Sequence, residues 1–216
     1  TSTKESAGNV YVSDGTTPVL VRVINDNAGI EPEAEDSGAY LTTLRKGCTD
    51  EVLDSTDSWY LLSCGGYVKK AHVEVVTGAA ELDNSVSSAV YTDGGNYEAV
   101  TLSCSVLPAY EAEFYGRYLK VKLYHTSMDC DVTALNDSSR LFFRLRTETD
   151  ETDGSVTLFL YSRDPLWGYD VSTDEEANTL RIALKPYPTL SDDLSKPLEG
   201  VTIAVASGPW SRRRCP

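Results

Sequence analysis

The 216 residues carry 33 Asp and Glu against 19 Lys and Arg, a formal charge of -14 that repels phosphates and anionic lipid, so nucleic acid is not an expected partner. Thirteen Tyr, fifteen Gly and nine Pro stand beside a single Met, and apolar residues alternate more often than they recur at helical spacing, which favours β structure over a helical bundle. No run nears the roughly 20 apolar residues of a membrane-crossing helix, so no membrane insertion is expected.

Thr1-Ser2-Thr3-Lys4 does not open like a secretory signal, and the native start is expected to have been trimmed. The first unit is placed at 18–77. Val19 to Val23 reads as a strand, Asn27 to Ser37 as a polar stretch, Leu41 to Leu44 and Thr49 to Leu53 as strands around a Lys46-Gly47 turn. Asp54 to Asp57 turns the chain into Trp59-Tyr60-Leu61-Leu62, and Gly65-Gly66 turns it again before Tyr67-Val68. Short strands between dense turn signals predict a small barrel. Trp59, Tyr60 and Tyr67 are the candidate ligand-binding residues, because a groove of aromatic rings suits sugar faces or peptide methyl groups. They serve equally as barrel core and rim, with Trp59 placed in the core and Tyr60 on the exposed side.

Ala39-Tyr40-Leu41-Thr42-Thr43-Leu44-Arg45-Lys46-Gly47, then Ser58-Trp59-Tyr60, then Gly65-Gly66-Tyr67-Val68-Lys69-Lys70, in this order and at these separations, resembles a bacterial SH3-like domain. That resemblance implies a small barrel. Asn27-Ala28-Gly29-Ile30 keeps the Asn of the family's Asn-x-Arg-x-Gly-Pro loop and loses its Arg.

Thr77 to Asn96 is small and polar and reads as a connection. The second unit is placed at 97–190, with alternation through Val100, Leu102 and Cys104, through Leu119, Val121 and Leu123, through Phe143 and Leu145, through Val156, Leu158 and Leu160, and through Leu180, Ile182 and Leu184. Five such strands predict a two-sheet sandwich, with Asp153-Gly154 closing a hairpin. Trp167-Gly168-Tyr169-Asp170-Val171 is read as a strand-connecting turn. With the strand end Lys185-Pro186-Tyr187-Pro188 it resembles the close of an AMIN-type domain, a β module that precedes many cell-wall amidases.

Residues 191–216 read as a linker and the start of a further domain. Lys196-Pro197-Leu198-Glu199-Gly200-Val201-Thr202-Ile203-Ala204-Val205 resembles the entry to an N-acetylmuramoyl-L-alanine amidase domain, where Asp-x-Gly-His-Gly would follow and supply the first zinc ligand. Ala206-Ser207-Gly208-Pro209-Trp210 follows instead, so the resemblance implies a zinc-dependent parent protein whose catalytic domain this chain lacks. The codons for Ser207 to Ser211 can spell Pro-Gly-His-Gly in the next frame, which leaves 206–216 open as a natural end or as out-of-frame sequence. Val201 to Val205 is expected to be unpaired, swapped or stuck to the sandwich.

No catalytic residue and no metal ligand is assigned. His72 and His125, at a barrel end and on a strand, have no spaced ligand set with Cys48, Cys64, Cys104, Cys130 or Cys215. The acidic runs at 31–36, 148–153 and 174–176 read as solvated loops rather than calcium sites. Cys48 and Cys64 are expected on neighbouring strands, and an oxidising exterior would permit a disulfide there. The expectation is an all-β chain, a small SH3-like barrel followed by an AMIN-like sandwich. It is read as an extracellular, wall-associated peptidoglycan-binding region of a secreted amidase, without cofactor and of open oligomeric state. The alternative is a protein-interaction or autoregulatory region controlling the amidase domain.

Overall fold

The structure, a computed structural model, describes residues 18–76 and 82–187. The amidase-like entry at 196–205, its expected loose strand and Cys215 lie outside the described residues. Strand takes 58% of the structure and helix 5%, so the chain is all-β. It divides into two compact units between Asp83 and Asn84.

The first unit holds β1 (Val19–Val23), β2 (Ala28–Ile30), β3 (Thr42–Leu44), β4 (Thr49–Ser55), β5 (Trp59–Leu62), β6 (Tyr67–Lys69) and β7 (Val73–Val76). Five of them form an antiparallel sheet in the order β6-β5-β4-β1-β7, while β2 and β3 pair as a separate ribbon. β1 lies between β4 and β7, and Leu20, Val21 and Val23 are buried while Arg22 turns out to meet Glu74 on β7. The ribbon contributes Ala28, Ile30 and Leu44 to the same core.

The expected barrel is not closed: β6 and β7 remain the two ends of the sheet. The ribbon reaches β6 only at Glu31 and Tyr67, whose backbones exchange hydrogen bonds of 2.9 and 2.8 Å. The chain turns away just there, because the Glu31 carboxylate accepts from the Ser37 hydroxyl at 2.6 Å and the Gly38 N–H at 3.1 Å and folds the acidic loop back. Gly66 makes the approach possible, since a Cβ on it would stand 2.5 Å from an Ile30 methyl and 2.8 Å from the Glu31 carbonyl.

The second unit comprises β8 (Asn84–Asp93), β9 (Glu98–Cys104), β10 (Tyr110–Phe114), β11 (Tyr118–Leu123), β12 (Thr126–Met128), β13 (Phe142–Asp150), β14 (Ser155–Ser162), β15 (Leu166–Asp174) and β16 (Thr179–Pro186). Residues 84–93, expected in a connection, are a ten-residue strand in hairpin with β9. Their Ser- and Ala-rich stretch carries too little apolar side chain to announce a strand, and its place in the ladder comes from pairing. Residues 167–171, expected as a turn, lie within β15.

Two sheets result, β10-β11-β14-β13 and β12-β8-β9-β16-β15. Period-2 alternation sends Leu119, Val121, Leu123, Val156, Leu158 and Leu160 inward from the first, and Val100, Leu102, Leu180, Ile182 and Leu184 inward from the second, all at most 1% exposed. The sheets meet through Tyr91 edge-on to Phe142 at 6.0 Å along one side. Along the other, the Tyr169 hydroxyl donates to the Ala112 carbonyl at 3.4 Å and its ring tilts against Phe114 at 5.6 Å.

Candidate binding surfaces

The three aromatic residues singled out from sequence do not form one groove. β5 and β6 pair Trp59 with Lys69, Tyr60 with Val68 and Leu61 with Tyr67. Directly opposed residues share a face of a sheet, so Trp59 and Tyr67 lie on one face and Tyr60 on the other. Tyr60 is buried at 7% exposure, against its expected exposed position, because its neighbours on that face are Val68 and Leu62, both core residues. Trp59 is buried at 8% with the Lys69 ammonium 5.5 Å from its ring centroid. A ring so covered has little face left for a sugar. Tyr67 is half-buried and its backbone holds the Glu31 bridge.

Cys48 and Cys64 do sit at the ends of the paired strands β4 and β5, but the structure carries both as thiols rather than as a bridge. The register explains this. The Ser63 N–H donates to the Glu51 carbonyl, which sets Asp50 across from Cys64, and the Cys64 N–H donates to the Asp50 carboxylate at 3.0 Å. Cys48 lies two residues further along, with its carbonyl accepting from Val23.

Glu31 is buried at 1%, which corrects the reading of 31–36 as wholly solvated. It belongs to a set of three. Asp50 accepts from the backbone of Glu51 and Cys64 and from the Ser63 hydroxyl. Glu98 accepts from the N–H groups of Arg140 and Leu141 at 3.1 Å and from the Ser139 hydroxyl. Each buried carboxylate satisfies loop donors that would otherwise be orphaned, so the three acids act as loop anchors.

His72 stands in the 3-10 turn Lys70–His72 with a buried Nδ1 that makes no hydrogen bond. His125, expected on a strand, is in the tight turn between β11 and β12 at φ 47°. Among the described residues no three His, Cys, Asp or Glu side chains gather as a metal site. Cys104 is buried on β9, and burial pushes its thiol up to about 11, in the opposite direction from an activated nucleophile.

The solvent face of β10-β11-β14-β13 is chemically the densest surface. Tyr118 opposes Tyr161, Lys120 opposes Phe159, and across β14 Arg144 opposes Tyr161 and Arg146 opposes Phe159. The rings form a stacked row: Tyr115 stacks on Tyr118 at 4.5 Å, Tyr118 on Tyr161 at 5.3 Å, and Phe159 and Tyr161 lie 6.3 Å apart with planes 11° from parallel. The Arg146 guanidinium covers Phe159 at 4.0 Å and donates to the Tyr161 hydroxyl at 3.3 Å. A hydrogen bond to Glu113 pushes the Tyr115 phenol up to about 12, so it remains neutral, and the same carboxylate pairs with Lys120.

The sequence showed Lys120, Lys122, Tyr124, Arg144 and Arg146 as the outward partners of an apolar alternation. It did not show that β14 lies between β11 and β13, which is what gathers their outward residues around Phe159 and Tyr161. Trp167, 39% exposed on β15 under the Lys185 ammonium at 4.8 Å, belongs to the other sheet. No protein-family model matches the chain, and no curated protein matches it.

Proposed function

We propose that this chain is a non-catalytic glycan-binding region that holds peptidoglycan outside the cell, in the front part of a secreted zinc-dependent N-acetylmuramoyl-L-alanine amidase. The observation that carries the binding is the row of rings Tyr115, Tyr118 and Tyr161 on the outward face of the sheet β10-β11-β14-β13. Sugar rings present C–H faces that stack on aromatic rings, and rings already held parallel lose little entropy on engagement. An extended row of rings suits a polymer better than a small substrate, which favours a pocket closed on several sides. The amidase context is supported by the sequence resemblances alone. Its physical logic is tethering: weak binding raises the effective concentration of a linked catalytic domain at its substrate.

Co-sedimentation of the chain with purified peptidoglycan at low salt tests the reading. Binding is expected, with the Tyr118→Ala/Tyr161→Ala variant about tenfold weaker and Trp59→Phe unchanged. A folded protein that stays in the supernatant would overturn the proposal and favour a protein-interaction or autoregulatory region.

A further inference from the structure

We infer that the β13–β14 end of this row of rings reads negative charge on the bound glycan, with Arg144 and Arg163 as the specificity-determining residues; the inference rests on the proposed glycan reading of the same face. The carrying observation is a β-bulge. The pairing of β13 with β14 slips between Phe142, opposite Ser162, and Arg144, opposite Tyr161, which leaves Phe143 as the extra residue. Strict alternation would send one of two successive residues into the core. The bulge instead leaves Phe143 and Arg144 both exposed, between the fully buried Phe142 and Leu145.

The Phe143 ring lies 6.3 Å from Tyr161 and extends the row, and the Arg163 guanidinium is 6.0 Å from the Phe143 ring. The Arg163 guanidinium therefore lies beside the exposed ring, and Arg144, next to Phe143 in the chain and opposite Tyr161, is exposed as well. The other cations on the strands of this sheet are answered: Lys120 by Glu113, Lys122 by Asp153 and Arg146 by Glu148. Among the described residues neither Arg144 nor Arg163 has a carboxylate partner. In a chain with 33 acidic residues to 19 basic ones, an acid is the commoner neighbour, so two unanswered arginines beside a ring go against the composition.

Guanidinium is the side chain whose fork matches a carboxylate or phosphate in two parallel hydrogen bonds, and its weak hydration keeps the desolvation cost low. A sugar polymer that carries anions at intervals would stack on Tyr118, Tyr161 and Phe143 and place an anion between Arg144 and Arg163.

The test compares three preparations of purified sacculi: untreated, stripped of phosphate polymers by hydrofluoric acid, and amidated at their carboxyl groups. The wild-type chain is expected to bind untreated sacculi and to lose about tenfold on one of the two treatments, which identifies the anion as phosphate or carboxylate. Arg144→Gln/Arg163→Gln is expected to lose the same factor on untreated sacculi and nothing further on the treated ones. Both arginines are exposed, so the variant folds, as its circular dichroism checks. Equal binding to all three preparations, or wild-type affinity in the variant, overturns the inference and leaves the glycan reading standing. No binding to untreated sacculi overturns the glycan reading and this inference together. Tighter binding of an oligothymidylate than of sacculi overturns both in favour of a nucleic acid.

Discussion

Glu98 shows what a single buried acid does in this molecule. Its carboxylate, 5% exposed at the start of β9, receives the N–H groups of Arg140 and Leu141 and the Ser139 hydroxyl, and so positions the segment from which β13 departs. A carboxylate offers only acceptors to these donors, whereas an amide would turn an NH2 group toward one of them. Glu98→Gln is therefore expected to lower stability by about 1–3 kcal/mol, read as a lower denaturant midpoint with unchanged slope. An unaltered midpoint would mean that the loop is held by its other contacts. Nothing in the sequence distinguished Glu98 from the acids of the solvated loops; the distinction is burial, which depends on residues more than 40 positions away. Trp59 and Tyr60 illustrate the converse. Their type was read correctly as aromatic payload, but adjacent residues of a strand face opposite ways, and a shared groove was never open to both.

At the scale of elements, the hairpin of β13 and β14 was legible because its turn chemistry is local. Gly154 adopts φ 61°, and the Asp150 carboxylate accepts from the backbone and hydroxyl of Thr152. Those bonds hold the Asp150 carboxyl below the ordinary range. Burial works to raise Asp153, but hydrogen bonds from Lys122 and Ser155 outweigh it and its carboxyl is also lowered. A carboxyl whose folded pKa is depressed contributes stability that is present above its unfolded pKa, about 3.9, and is lost as pH falls through the folded value. Protection of the amides at 151–155, taken relative to their intrinsic exchange rate, is thus expected to fall as the pH drops below about 3.9, ahead of that of Leu158 and Leu160 in the sandwich interior. Protection that falls at the same pH for both sets would contradict a local effect. β8, β12 and β15 escaped the reading for different reasons. β12 has three residues, β15 contains Gly168 and Asp170, and β8 faces its neighbours with Ser and Ala.

For the molecule as a whole, the division between Asp83 and Asn84 has an energetic content. Residues 84–187 contain a core of their own, in which Leu102, Leu119, Leu123, Leu145, Leu158, Leu160 and Leu180 are fully buried, and two sheets that close on each other through Tyr91 and Tyr169. A unit with a complete core and paired strands folds as a cooperative whole. The fragment 84–187 is expected to unfold in a single transition, by heat and by denaturant, with coincident fluorescence and circular dichroism. A fragment that begins at residue 97 omits β8, leaves β12 without its partner and uncovers one side of β9, and is expected to be insoluble or molten. Equal behaviour of the two fragments would show that β8 is dispensable.

What the sequence determined by itself was the class of structure and the composition of its faces. Period-2 alternation is a property of each strand alone, so Leu119, Val121 and Leu123 announced a buried face, and Lys120, Lys122 and Tyr124 an exposed one, before any partner was known. The tertiary structure alone decided which strands are neighbours. Placing β14 between β11 and β13 turned separate outward residues into one aromatic and cationic platform, and the bulge at Phe143 brought Arg144 into it. Placing β6 and β7 at opposite ends left the first sheet open where short strands and turns had suggested closure. The reason is physical: side-chain direction is set by local geometry, whereas strand order and register are set by long-range pairing, which no short stretch of sequence contains.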